Sequence, residues 1–181
     1  GSDFLTVKGW LMRGAIREDD VPYLFGKNPQ DDPYGQIFRV LHHFYDPRND
    51  RGLRVGLRIG QKAPDWGIGA SDAFTDENAA DQWRRNHFTV FDAREAMFRA
   101  LTGMDRNGSK AIVPDSQYGG SREPNNPQEA ESARKAYWAT TFRALGDLVH
   151  LIQDMAQPQH TRNDPHAGSD NYDHDAGPLG H

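Results

Sequence analysis

The chain has 181 residues and no cysteine, and its 26 acidic and 21 basic residues give a formal net charge of −5. This length suits one domain with a buried core, and the absence of cysteine excludes disulfides, thiolate zinc sites and cysteine nucleophiles. The acidic balance argues against a protein that coats nucleic acid, so we expect no stable nucleic-acid complex. No apolar run approaches the roughly 20 residues that a membrane-spanning helix needs.

Apolar periodicity predicts helices joined by long polar connections, with little strand patterning. A short helix is predicted over 3–16, ended by the acidic cluster REDD. Another is predicted from about 79 to 102 and closed by Gly103. Residues 48–79 and 103–127 are rich in turn-forming residues and are interpreted as loops. These patterns predict an all-α protein with long irregular loops.

The longest predicted helix spans about 128–156 and carries two adjoining apolar stripes. The first stripe contains Tyr137, Thr141, Ala144, Leu148, Leu151 and Met155, and the second contains Trp138, Phe142, Leu145, Val149 and Ile152. Together the stripes cover roughly half of the circumference of the helix, which is typical of a helix in the core. We therefore predict that this helix is the central element of the fold.

A narrow polar strip lies opposite these stripes and consists of Arg143, Asp147, His150 and Asp154. One interpretation is a solvated face on which the first two residues form an ion pair at i, i+4. The other is a metal site, because the last two residues project from neighbouring turns of one face. Pro158 then disrupts the helix, so His160 can turn back towards this pair. The spacing His-x3-Asp-x5-His favours the metal site.

The stretch HLIQDMAQPQH, at 150–160, resembles the zinc-dependent phospholipase C enzymes, which are related to the fungal single-strand nucleases. Their hallmark is His-x3-Asp-x2-Gln-Pro-x-His, and every specified position is matched. The block HFYDP, at 43–47, resembles the phospholipase stretch that holds another zinc-binding histidine. The block GAIREDD, at 14–20, resembles the segment that holds an aspartate ligand. The resemblance covers most of 10–181.

The resemblance implies a helical bundle that binds up to three zinc ions, with one site complete in this chain. That site would consist of Asp19, His43, His150 and Asp154, with Asp20 as the alternative to Asp19. Asp19 is also the predicted catalytic residue, since a carboxylate beside the metal can accept a proton from water. The neighbouring His42 is expected to pack in the core instead of binding metal.

The resemblance also implies two incomplete zinc sites. His160 would begin a second site, for which His181 is the best candidate partner, and Asp154 would bridge to a third. On this interpretation, residues 1–181 form a single domain without the first helix and the C-terminal helices of the family.

The activity implied by the resemblance is zinc-dependent hydrolysis of a phosphodiester, in which a metal-activated water attacks the phosphorus of a phospholipid headgroup ester. Two alternatives stay open: a zinc-dependent single-strand nuclease, and a non-catalytic module with one structural zinc. The implied partner is a phospholipid or another phosphodiester, with contact at a membrane surface. The implied location is secreted or periplasmic.

Overall fold

The computed structural model describes residues 5–19, 39–55, 58–69, 86, 88–115 and 120–162. This part of the chain is mostly helical, which confirms the predicted class. The helices are α1 (Val7–Asp19), a 3₁₀ helix (Arg39–His42), α2 (Ala63–Ile68), α3 (Val90–Thr102), α4 (Pro127–Met155) and α5 (Pro158–Thr161). Two short antiparallel pairs are formed by β1 (Arg54–Val55) with β2 (Arg58–Ile59) and by β3 (Val113–Pro114) with β4 (Ser121–Arg122). The 48–79 segment therefore contains a helix that the sequence did not predict.

Helix α4 is the central element, as predicted, and α1, α2 and α3 all pack against it. It begins where the side chain of Asn126 accepts a hydrogen bond from the backbone N–H of Glu129 at 2.8 Å. Proline at the first helical position suits this start, because its missing N–H would have no partner within the helix. None of the helices in the described ranges is both long and apolar enough to cross a membrane.

The predicted bounds of the first helix are wrong at both ends. Helix α1 begins at Val7 because the hydroxyl of Thr6 accepts a hydrogen bond from the N–H of Gly9 at 3.1 Å. At the other end the helix continues to Asp19 instead of stopping at the acidic cluster. Acidic residues are unfavourable at a helix C-terminus. The side chain of Glu18 nevertheless turns into the protein, where it is completely buried. Its contacts there stabilise the last turn of the helix.

The predicted start of the second helix is also wrong, within the part that the structure describes. Helix α3 begins at Val90, and residues 79–85 lie outside the described ranges. The reason is a capping box: Thr89 accepts from the backbone N–H of Asp92, whose carboxylate accepts from the backbone N–H of Thr89. The predicted end is confirmed, since Gly103 terminates the helix in the left-handed conformation with φ of 70°.

Helices α1 and α4 cross with their backbones in contact at Gly14 and Gly146. A Cβ atom on Gly14 would lie 2.2 Å from the carbonyl oxygen of Arg143, and one on Gly146 would lie 2.2 Å from that of Leu11. Only glycine allows this approach. The crossing fixes how the C-terminal halves of the two helices lie relative to each other.

The two apolar stripes of α4 have different environments. Thr141, Ala144 and Leu151 of the first stripe are buried and its other members are partly buried. Leu151 joins Ala63 and Trp66 in the core. The second stripe was predicted to be buried as well, and this is wrong for three of its members. Leu145, Val149 and Ile152 are 40%, 47% and 63% exposed.

Candidate metal centre

Three predicted ligands converge in the structure: His43, His150 and Asp154. The Oδ2 atom of Asp154 lies 3.0 Å from Nδ1 of His43 and 3.0 Å from Nε2 of His150. The other carboxylate oxygen, Oδ1, faces His160, whose Nδ1 lies 3.5 Å away. Asp154 therefore stands at the centre of three imidazoles.

The C-terminal part of α4 and the turn after it arrange these side chains. His150 and Asp154 share a face because they are one turn apart on α4. The helix ends at Met155, and Gln157 adopts an extended conformation with ψ of 129° before Pro158 opens the short helix α5. This break turns His160 back towards Asp154, as the position of the proline predicted.

The HFYDP block, which carries His43, is held against α5 and α2 by backbone hydrogen bonds. The N–H of Tyr45 donates to the carbonyl of His160 at 3.1 Å, and the carbonyl of Phe44 accepts from the N–H of Ala63 at 3.1 Å. The ring of Phe44 also packs against the ring of His160, with centroids 4.5 Å apart. Two blocks that the sequence analysis had singled out separately are thus joined in space.

The preceding 3₁₀ helix is held in place by a glycine. A Cβ atom on Gly60 would lie only 1.8 Å from the carbonyl oxygen of Leu41, so the two backbones are in direct contact. The ring of His42 stacks on that of Trp66 at 3.9 Å, and its Nδ1 accepts from the N–H of Gln61 at 2.7 Å. His42 therefore packs in the core, which confirms the prediction for this residue.

Three residues of the polar strip on α4 are buried and His150 is partly buried, so the interpretation as a solvated face is wrong. Asp147 is completely buried and accepts a hydrogen bond from Nε of Arg143 at 2.8 Å. The guanidinium of Arg143 in turn lies 4.2 Å from the ring centroid of Phe88. The expected i, i+4 ion pair is present, but in the interior of the protein.

Opposing electrostatic effects act on the converging groups. Burial by itself lowers the pKa of His43, but hydrogen bonding and charge attraction from Asp154 and Glu18 outweigh it and raise the pKa to about 10. Burial raises the pKa of Asp154, whereas the imidazoles of His150 and His43 lower it well below its usual range. The centre therefore attracts cations, and a metal ion binding here would compete with a proton on His43.

The donor set fits a metal ion. One ligand atom from each of His43, His150 and Asp154 lies within 4.8 Å of the other two, so this buried group could hold a metal. A tetrahedral zinc site with bonds of about 2.0–2.1 Å separates its ligand atoms by about 3.3 Å. The two 3.0 Å contacts of Asp154 are close to that separation. Imidazole and carboxylate are also ligands that zinc accepts.

The remaining predicted ligands stay predictions. Asp19 is the last residue of α1, but its side chain lies outside the part of the protein that the structure describes. The alternative Asp20 and the second-site candidate His181 also lie outside the described residues.

Glu18 is a residue of the site that was not predicted from the sequence. Its Oε1 lies 3.5 Å from Nε2 of His43 and accepts a hydrogen bond from Nε1 of Trp66 at 2.8 Å. A signal for Glu18 was present: it follows Gly14 by four residues, so both lie on one face of a helix that continues through the acidic cluster. Ending that helix at residue 16 concealed the relation.

Among protein-family models, curated proteins and solved structures, none matches this chain significantly.

Proposed function

We propose that this protein is a zinc-dependent phosphodiester hydrolase of the phospholipase C type. The observation that supports the proposal best is the convergence of His43, His150 and Asp154 in a buried group, with His160 at the second oxygen of Asp154. These four residues come from two separate blocks of sequence, both of which resemble the zinc phospholipases.

His43, His150 and Asp154 would hold the metal ion. Bound zinc can polarise a phosphodiester oxygen and lower the pKa of a bound water from 15.7 towards about 7. The protein would keep the ligands oriented through the α4–α5 turn and the backbone contacts of the HFYDP block. Asp19 is the proposed acceptor of the proton from water. In a protein of net charge −5, the positive charge needed for an anionic substrate would come from the metal centre.

Phospholipid is the proposed substrate because the HFYDP block resembles the phospholipases more than the nucleases. The implied partner is therefore a lipid headgroup at a membrane surface, and the proposed location is secreted or periplasmic. Zinc-loaded protein should release phosphorylated headgroup from phosphatidylcholine or its analogues, and Asp154→Asn should abolish this release.

The same assay separates the alternatives. Digestion of single-stranded DNA or RNA without headgroup release would identify a nuclease in place of a phospholipase. Zinc that is required for folding, with no hydrolysis of either substrate, would identify a structural site. This last outcome has a physical basis, because the ligands join the HFYDP block to α4 and a metal ion would stabilise that junction.

A further inference from the structure

The ring of His43 lies between two carboxylates that face different nitrogens. Nδ1 faces Asp154 at 3.0 Å, on the side of the candidate metal ligands, and Nε2 faces Glu18 at 3.5 Å. An ionised carboxylate can only accept a hydrogen bond, so the nitrogen that faces it is stabilised when it carries the proton. Without a metal ion, Asp154 favours a proton on Nδ1 and Glu18 favours one on Nε2. A metal ion bound by Asp154 would replace the proton on Nδ1, and Glu18 would keep the proton on Nε2.

The carboxylate of Glu18 is fixed in position by its surroundings. It is completely buried, and the oxygen that faces His43 also accepts the indole N–H of Trp66 at 2.8 Å. Trp66 is itself completely buried and stacked on His42. The contact between Gly14 and Gly146 sets the position of the helix that carries Glu18. A buried carboxylate is costly unless its charge is compensated, and both His43 and the indole N–H of Trp66 contribute to that compensation.

We propose that Glu18 is a positioning residue for the metal centre, which orients His43 and selects its tautomer, and that Trp66 holds Glu18 in place. This inference rests on the proposed function, since it assigns the role of Glu18 towards a metal bound by His43. Metal-ligating histidines commonly donate their other N–H to a carboxylate, and loss of such a partner typically lowers metal affinity by about 10- to 100-fold. We expect a loss of about this size when Glu18 is replaced.

Zinc affinity provides the first test. Competition with a chromophoric chelator should show about 10- to 100-fold weaker zinc binding by Glu18→Gln than by the unaltered protein. Trp66→Phe keeps an aromatic face but removes the donor, and should weaken binding by a smaller factor. The matched control is Glu129→Gln, which removes a carboxylate at the start of α4, and it should bind zinc with unchanged affinity.

Nitrogen-15 NMR of the imidazoles provides a second test that needs no variant. In the zinc-loaded protein, His43 should carry its proton on Nε2 and bind zinc through Nδ1. Zinc on Nε2, or equal zinc affinity for Glu18→Gln and the unaltered protein, would overturn this inference and leave the metal centre intact. Failure of the unaltered protein to bind zinc would overturn the proposed function as well.

Discussion

Replacing Gly14 with alanine should separate α1 from α4. In an isolated helix this change would stabilise the fold by roughly 0.5–1 kcal/mol, because alanine loses less conformational freedom than glycine. Here the added Cβ atom would lie 2.2 Å from the carbonyl oxygen of Arg143 and 2.9 Å from the Cα atom of Gly146. Both neighbours are backbone atoms of a long helix, so relief requires the helices to move apart.

The magnitude follows from the two opposing contributions. Overpacking of a well-packed interior costs about 1–3 kcal/mol, and the gain in helix propensity offsets up to about 1 kcal/mol of it. The upper end of that cost applies, because the 2.2 Å contact is with a backbone atom, so we expect Gly14→Ala to lower the free energy of unfolding by about 2 kcal/mol. Glu18 lies one turn further along α1, so zinc affinity should fall in the same variant.

Gly9→Ala is the matched control on the same helix. The nearest atom to its added Cβ would be the Cβ of Leu5 at 3.3 Å, so a shift of a few tenths of an ångström at this exposed residue, which precedes the helix, would relieve the contact. This variant should be as stable as the unaltered protein or slightly more stable. Urea denaturation followed by circular dichroism would measure both variants. If Gly14→Ala is as stable as Gly9→Ala, the α1–α4 contact is not as close as described.

Three further substitutions test other features of the fold, each by denaturation. Asp147→Ala should lower the free energy of unfolding by about 3–5 kcal/mol, because the buried guanidinium of Arg143 loses its carboxylate partner; a loss below about 1 kcal/mol, typical of an exposed pair, would contradict this burial. Thr89→Ala should cost about 1 kcal/mol by removing the cap of α3, and an unchanged stability would argue against the capping box. Hydrogen bonding to Arg122, with further bonds from Asn125, lowers the pKa of Glu129 from 4.5 to about 2. Since the folded state therefore favours the ionised form, its stabilising effect is present above pH 4.5 and lost as pH falls towards 2. Glu129→Gln should accordingly be less stable at pH 7 but equal in stability near pH 2, and an equal deficit at both pH values would refute the assignment.

The sequence predicted those parts of the site whose geometry is local. The i, i+4 spacing on α4 places His150 beside Asp154, and a proline after the helix turns His160 back. The bounds of α4 were also predictable, because a proline and an acidic residue mark its start and Pro158 follows its end. Joining His43 to this group required the resemblance, since no periodicity relates residue 43 to residue 154.

Features that depend on tertiary contacts could not be predicted in the same way. Helix propensity and charge suggested that α1 stops at the acidic cluster, whereas burial of Glu18 against Trp66 and His43 extends it. A solvated face was one interpretation of the polar strip because Arg143 and Asp147 are charged, yet pairing within the strip lets both residues be buried. Conversely, the apolar character of Leu145, Val149 and Ile152 suggested a core position, and these side chains are exposed in the structure.

Metal content tests the central claim most directly. Protein purified without a metal-affinity column, incubated with zinc and then dialysed, should contain about one zinc or more per chain by elemental analysis. The His150→Ala, Asp154→Ala double variant should contain none while remaining helical by circular dichroism. Zinc absent from the unaltered protein, or retained at the same level by the folded double variant, would contradict a metal centre at His43, His150 and Asp154.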